Sequence, residues 1–225
     1  MPAKREPAAR RSRESGADRP TEEWLRKRRE ILDVAADVFF THGFERGTTK
    51  EIAARVGMSQ PSLYHYVGSK EVLLSEIARQ VDRDFTLALD AALAVEGEPA
   101  DQLRRIIDAF VSSLVINQRT FAVYWKEYRS LPEQVAREAH LHEIEFTRRV
   151  EDVVARAQAA GVLPARHTTR ILSEGILGMM SWMHWWYRPD VSTAAEVAAA
   201  FKDLIGLGTG ELPGAVPESG PAPER

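Results

Sequence analysis

Apolar residues recur at helical spacing along almost the whole chain, and strand-type alternation is absent. The first helix is predicted to open at Thr21, an N-cap followed by Glu22 and Glu23 at the positive end of the dipole. Its apolar set, Trp24, Ile31, Val34, Ala35, Val38 and Phe39, keeps the 3.6-residue period, and Gly43 supplies the stop. Thr48 opens a short second helix, with Glu51 completing a capping box and Gly57 closing it after the apolar face Ile52, Ala53 and Val56. Ser59 caps a third short helix with Pro61 in its first turn, and Ser69 caps a fourth that runs to about Leu93.

Beyond it the pattern predicts longer helices over 99–118, 119–130, 133–160, 167–187 and 192–207, bounded by Pro99, Pro132, the Gly161–Pro164 turn and Pro189. Short helices therefore crowd into the first seventy residues and long ones follow. This places a domain boundary within the fourth helix: a unit over 21–68, then a larger one over 69–207. Residues 1–20 are rich in Arg, Pro, Ala and Ser and carry no large apolar residue beyond Met1, so they read as a disordered basic arm. The Pro- and Gly-rich stretch 208–225 reads as a disordered tail.

Composition changes this picture little, but charge distribution adds to it. The net charge is -3, yet residues 1–83 hold 16 Lys and Arg against 13 Asp and Glu, so the basic excess lies in the N-terminal part. Phosphate contacts act over roughly a Debye length, about 8 to 10 Å, so local charge matters more than the total. No apolar run reaches the roughly 18 to 20 residues of a membrane helix, and no apolar stretch follows the basic arm as in a secretory signal. The absence of cysteine removes disulfides, thiolate metal sites and thiol nucleophiles. The expected compartment is the cytoplasm, and no membrane association is expected.

The second and third helices, TTKEIAARV and QPSLYHYV joined by GMS, have the lengths and Gly-containing turn of a helix-turn-helix. With Leu63 and Tyr66 facing inward, Gln60, Ser62, Tyr64 and His65 remain outside. Gln offers a bidentate pairing to adenine, and small or aromatic side chains meet a thymine methyl. A half-buried aromatic role for Tyr64 and plain exposure for His65 and Lys50 are the competing readings.

The stretch from Arg29 to Ile77, above all TTKEIAARVGMSQPSLYHYVGSKEVLL, resembles the DNA-binding domain of the TetR family of transcriptional regulators. The Gly43–Phe44 helix end, Thr48–Thr49, Ile52–Ala53, Gly57, Leu63–Tyr64 and Lys70–Glu71 carry the likeness in order. The resemblance implies an all-α homodimer that binds a palindromic operator in double-stranded DNA and is released by a small-molecule effector. It implies base contacts for Gln60 and Pro61, a place in the groove near a base or a phosphate for Tyr64, and phosphate contacts for Thr49, Ser62, His65 and Lys70. Thr48, Lys50 and Ser59 complete the candidate DNA-facing set.

The sixth predicted helix carries Phe121, Tyr124, Trp125 and Tyr128 on one face. With Phe110, Leu114, Phe146 and Met179 they line either an aromatic core or, as the resemblance implies, an effector cavity. In the eighth, Gly175 and Gly178 permit close backbone approach beside Trp182, Trp185 and Trp186, and the ninth adds Ala198 and Phe201. The resemblance implies a dimer interface built from these two helices. The WYRPD and KEYRSLPEQV segments are similar to family members that regulate fatty-acid and steroid catabolism, which implies an acyl-CoA effector. Arg104, Arg105, Arg119, Arg129, Arg148 and Arg149 are then candidate phosphate partners. A lipophilic or aromatic drug-like effector of an efflux or detoxification repressor is the alternative.

Enzymatic chemistry finds no complete constellation. His140 and His142 diverge around a helix, and Glu138 with His142 lacks a third metal ligand. No Gly-rich phosphate loop or Ser-His-Asp order is present. The expectation is a non-enzyme without cofactor or metal.

Overall fold

The computed structural model describes residues 21–208, so the expected arm and, Gly208 aside, the expected tail lie outside the described residues. All regular structure among those residues is helical. The order is α1 (Glu22–Arg46), α2 (Thr49–Val56), α3 (Gln60–Val67), α4 (Lys70–Leu93), α5 (Pro99–Ile116) and α6 (Gln118–Glu127), followed by a 3-10 turn at Tyr128–Ser130. Then come α7 (Glu133–Ala159), α8 (Thr169–Ser181), α9 (Met183–Trp186) and α10 (Ala194–Leu204).

Side-chain caps start most of these helices, at the four positions the sequence predicts and at two more in the body. Thr21, Thr48, Ser59, Ser69, Thr168 and Thr193 each accept a backbone N–H of the first turn. The capping box expected at Thr48 is only half formed. Glu51 N donates to Thr48 Oγ1 at 3.1 Å, but the Glu51 carboxylate turns away to His42 Nε2 at 3.2 Å. A full box forms instead at Thr193 and Glu196.

Three predicted boundaries shift. Gly43 breaks the helical dihedrals at φ 78°, yet α1 resumes for one turn to Arg46. That turn buries Phe44 edge-on against Phe39, with ring centroids 5.3 Å apart. The sixth helix tightens at Tyr128, because Leu131 precedes Pro132 and takes an extended conformation. The eighth tightens at Trp182, where Trp185 N reaches back to Trp182 O in an i to i+3 bond, so α9 continues it as a single short turn.

Helices α1 to α3 pack around the start of α4 as a head, and α4 continues into the body against α5, α6 and α7. Helix α1 also lies along α6, and α10 lies along α5. One apolar cluster runs from Ile31 in the head through Ile77 and Val81 to Leu207. No single helix among the described residues is long and apolar enough to cross a membrane.

Leu63, fully buried, is the main anchor of α3. We expect Leu63→Ala to cost about 2 to 5 kcal/mol. Urea unfolding of the whole chain should show this as a lower midpoint in one transition, since head and body share their core.

Candidate functional site

Helix α3 turns Leu63 and Val67 into the core and leaves Pro61, Ser62, Tyr64 and His65 exposed. Tyr66 is half-buried and stacks on Trp24 with centroids 5.7 Å apart, which ties α3 to the first turn of α1. The pivot beneath this surface is Thr49, only 7% exposed. Its Oγ1 accepts from Gln60 Nε2 at 2.9 Å and shares a hydrogen bond with the Tyr64 hydroxyl at 3.1 Å. One amide hydrogen of Gln60 is thus engaged. The other, with Oε1, still offers the paired donor and acceptor that an adenine edge requires.

The remaining candidates divide by task. Ser59 and Ser62 hydroxyls pair at 2.8 Å, and Thr48 is engaged as a cap. Lys50 is exposed. Lys70 donates to Glu45 O at 3.0 Å, with its ammonium 4.4 Å from the Phe44 ring centroid. Lys70 therefore places positive charge at the corner that Gly43 and Phe44 create.

The head is tied to the body by charged contacts. Asp37 of α1 is bridged by Arg55 of α2 at 3.0 Å and by Arg119 of α6. Burial raises the Asp37 carboxyl, but the Arg119 and Arg55 bonds outweigh it and hold the group below its ordinary value. At the other end of α6, Glu127 Oε1 accepts from Phe44 N at 3.0 Å. Glu76 of α4 links Arg28 at 2.9 Å with Arg79, which in turn reaches Glu138 of α7 at 3.2 Å. There too burial raises the Glu76 carboxyl and its arginine partners, Arg28 first, bring it lower.

Within the body lies a cavity of about 650 Å³, lined by α4 to α8 and open to solvent on one side. Of the residues expected there, Phe110, Phe121, Tyr124, Trp125, Tyr128 and Phe146 line it. Leu114 does not: one turn beyond Phe110 on the same face of α5, it is fully buried in the core. Met179 packs half-buried against the core instead, and its neighbour Gly178, expected only at the dimer face, contributes to the wall. The polar wall escaped sequence reading: Asp82, Thr86, His140, His142, Glu143 and Thr147. A signal exists for part of it, since Asp82 interrupts the otherwise apolar stripe Ala78, Val81, Phe85 and Leu89 of α4.

Burial pushes the Asp82 carboxyl above its ordinary value, against the pull of His142, whose Nδ1 lies 3.3 Å away. Burial also raises the Tyr124 phenol, with Asp82 adding to the effect. Glu138 is engaged by Arg79 and Gln134, so it does not join His142. No cluster of three His, Asp or Glu residues suited to a metal ion occurs among the described residues. Of the six arginines named as phosphate partners, only Arg129 lines the cavity. Arg104 and Arg105 hold backbone carbonyls, Arg119 holds Asp37, Arg148 pairs with Glu145 and Asp152, and Arg149 pairs with Asp90.

Along α8 and into α9 an open stripe carries Ile171, Gly175, Gly178, Trp182 and Trp185. Trp182 and Trp185 are 56% and 76% exposed, and a Cβ built on either glycine would meet nothing within 4 Å. Trp186 is partly exposed and edges onto Phe201. Ala198 and Phe201 do not belong to this surface. Both are buried, on the side of α10 that packs against α5 of the same chain.

A helix-turn-helix with its exposed helix braced from below, joined to a helical body containing a cavity, defines a ligand-responsive DNA-binding regulator. Residues 31–77 match the family model for bacterial regulatory proteins of the tetR family. Residues 96–208 match the tetracyclin repressor-like C-terminal domain. The chain belongs to the TetR family of transcriptional regulators.

Among curated proteins it is similar to the transcriptional repressor KstR2 of Rhodococcus jostii, 25% identical over 177 residues covering 77% of this chain and 85% of the relative. Among solved structures, PfmR of Thermus thermophilus superposes with a TM-score of 0.73 at 29% identity, covering 80% of this chain and 99% of that one. AibR, solved with isovaleryl coenzyme A and operator DNA, has the same fold, with a TM-score of 0.70 at 22% identity over 80% and 98% of the two chains.

Thr49→Val removes both hydrogen bonds that brace Gln60 and Tyr64 while keeping the shape of the side chain. At about 0.5 to 1.5 kcal/mol each, their loss should weaken operator binding roughly 5- to 150-fold. Circular dichroism should be unchanged, and non-specific DNA binding nearly so. Unchanged operator affinity would remove Thr49 from this role.

Proposed function

We propose that the chain is a homodimeric repressor that binds a near-palindromic operator and leaves it when an acyl-CoA thioester occupies the body cavity. The single observation carrying this reading is the aromatic cavity lined by the same helices, α4 and α6, that hold the head. In a two-fold dimer the two α3 helices enter successive major grooves roughly 34 to 36 Å apart. Gln60, Pro61 and Tyr64 face base edges, and Ser62, His65, Lys50 and Lys70 face phosphates. The stripe Ile171, Gly175, Gly178, Trp182 and Trp185 forms the dimer contact, with the glycines allowing close approach and the tryptophans supplying apolar area.

The acyl-CoA reading is supported by Arg129 on the cavity wall and by the likeness to AibR, whose structure holds isovaleryl coenzyme A. A second reading, a lipophilic aromatic effector, is favoured by the seven aromatic rings of the wall and the carboxylates of Asp82 and Glu143 among them.

Release follows from the contacts at the two ends of α6. Lys126 and Tyr128 line the cavity, and Glu127 between them holds Phe44 N at the Gly43 kink. An effector that displaces this turn draws on the head directly through α1, and a shift of α4 adds to it. Its leverage equals its differential affinity for the two arrangements.

Fluorescence anisotropy on DNA from upstream of the chain's own gene tests the reading. We expect specific binding that weakens steeply with salt and release by acyl-CoA thioesters, with free CoA and free fatty acid inert. Binding no better than to random DNA at moderate salt would overturn the repressor. Release by aromatic lipophiles alone would install the second reading. In the same assay Glu127→Ala should retain effector binding yet reduce the effector's shift of DNA affinity below about fivefold, the lower end of ordinary allosteric coupling.

A further inference from the structure

Three charged rungs cross between α4 and α7: Arg79 to Glu138 at 3.2 Å, His142 to Asp82 at 3.3 Å and Arg149 to Asp90 at 2.6 Å. The outer two carry arginine, which is charged at every ordinary pH. The middle rung lines the cavity and carries a histidine whose side chain is 62% exposed, against 12% for Asp82. Asp82 is thus a sequestered carboxylate whose bonded partner is an imidazole on the solvent side. Oδ2 meets that imidazole, and Oδ1 has no partner among the described residues.

An unengaged donor lines the same cavity from α6. The Tyr128 hydroxyl donates to Ala136 O at 3.1 Å, but that of Tyr124 has no partner among the described residues. Tyr124 is near enough for the Asp82 charge to act on its phenol, and burial, with that charge second, holds the proton in place. The rings of Phe121 and Phe85 continue the wall from Tyr124 and offer no hydrogen bond.

One acceptor and one donor on an otherwise aromatic wall restrict what fits. A bare hydrocarbon leaves both unpaired once it excludes water. A carbonyl or ether oxygen accepts from Tyr124 but sets its lone pairs against Asp82. An ammonium suits Asp82 but has no lone pair for Tyr124. A hydroxyl satisfies both.

We propose that the effector carries a hydroxyl group on its apolar part, and that Asp82 accepts from it while Tyr124 donates to it. This rests on the body cavity being the effector site and names what that effector contains. Two sources share the chemistry: a hydroxylated acyl chain on a CoA thioester, or a hydroxylated aromatic lipophile. In either case the hydroxyl bridges α4 and α6, the helices that hold the head.

Isothermal titration calorimetry without DNA tests this on two series. One compares octanoyl-CoA with 3-hydroxyoctanoyl-CoA and 8-hydroxyoctanoyl-CoA. The other compares 4-phenylbutan-1-ol with its methyl ether, an acceptor only, and with 4-phenylbutan-1-amine, whose ammonium is a donor only. Each is measured on the native chain, Asp82→Leu and Tyr124→Phe, with Asp82→Asn as a shape-conserving second variant and circular dichroism verifying the fold.

A hydroxylated probe should bind at least about tenfold tighter than the members of its series that lack the hydroxyl. Asp82→Leu and Tyr124→Phe should each bring that ratio below about threefold and leave the other probes within about threefold of native. Preference in the thioester series assigns the hydroxyl to an acyl chain. Preference in the phenyl series alone assigns it to an aromatic lipophile and overturns the thioester reading. Equal binding throughout both series, tightest binding by the amine, or an equal loss of every probe in Asp82→Leu would overturn the hydroxyl site and leave the cavity reading standing. No binding by any probe would overturn both.

Discussion

Head and body are held to one another by a common apolar core, and the remaining behaviour of the chain depends on that continuity. Helix α4 begins at the head beside Lys70 and reaches the cavity wall at Val81, Asp82 and Phe85 without a break. Helix α1 is buried against both α2 and α6. A core at ordinary packing density does not deform gradually, so a displaced wall moves neighbouring helices as bodies. Polar contacts fix where that motion is felt. Glu127 on Phe44 N and Arg119 on Asp37 act at opposite ends of α6, each gripping α1.

The same packing leaves the cavity as an unfilled part of the body. Around His140 to Glu145 the middle of α7 is exposed on all sides, because its inner face lies over open space. Phe85 packs against both Phe110 and Phe121 on the floor, with centroid separations of 4.6 and 5.1 Å, so the closed side is well packed. Asp82 is held there at a cost, since burial disfavours its ionised form and His142 compensates only in part. Unfilled volume and an under-compensated carboxylate both favour a ligand that supplies apolar contact and a polar partner.

The head shows how a short helix becomes a precise reading surface. Leu63 and Val67 alone anchor α3 in the core, and eight residues are too few for independent helix stability. Three additions compensate: the Ser59 cap, the stacking of Tyr66 on Trp24, and the hydroxyl of Thr49 beneath Gln60 and Tyr64. The side chains of this exposed face are thereby ordered in the free protein, which lowers the conformational entropy that binding through it would cost.

Much of this was legible in the sequence because the deciding forces are local. Caps at Thr21, Thr48, Ser59 and Ser69 and the left-handed Gly57 follow from a few consecutive residues, as does the helix-turn-helix they delimit. The aromatic set Phe121, Tyr124, Trp125 and Tyr128 shares a face because helix geometry requires it. What that face meets is a different matter. Leu114 and Phe110 sit on the same helix, yet one is sealed in the core and the other lines the cavity. Ala198 and Phe201 carry the pattern of an interface but are covered by α5 of their own chain. The carboxylate of Glu51 and the hydroxyl of Thr49 likewise chose partners from other helices. Periodicity tells which side of a helix is apolar; only the packing of distant segments decides whether that side meets core, cavity or open surface, because burial depends on neighbours that the local sequence does not contain.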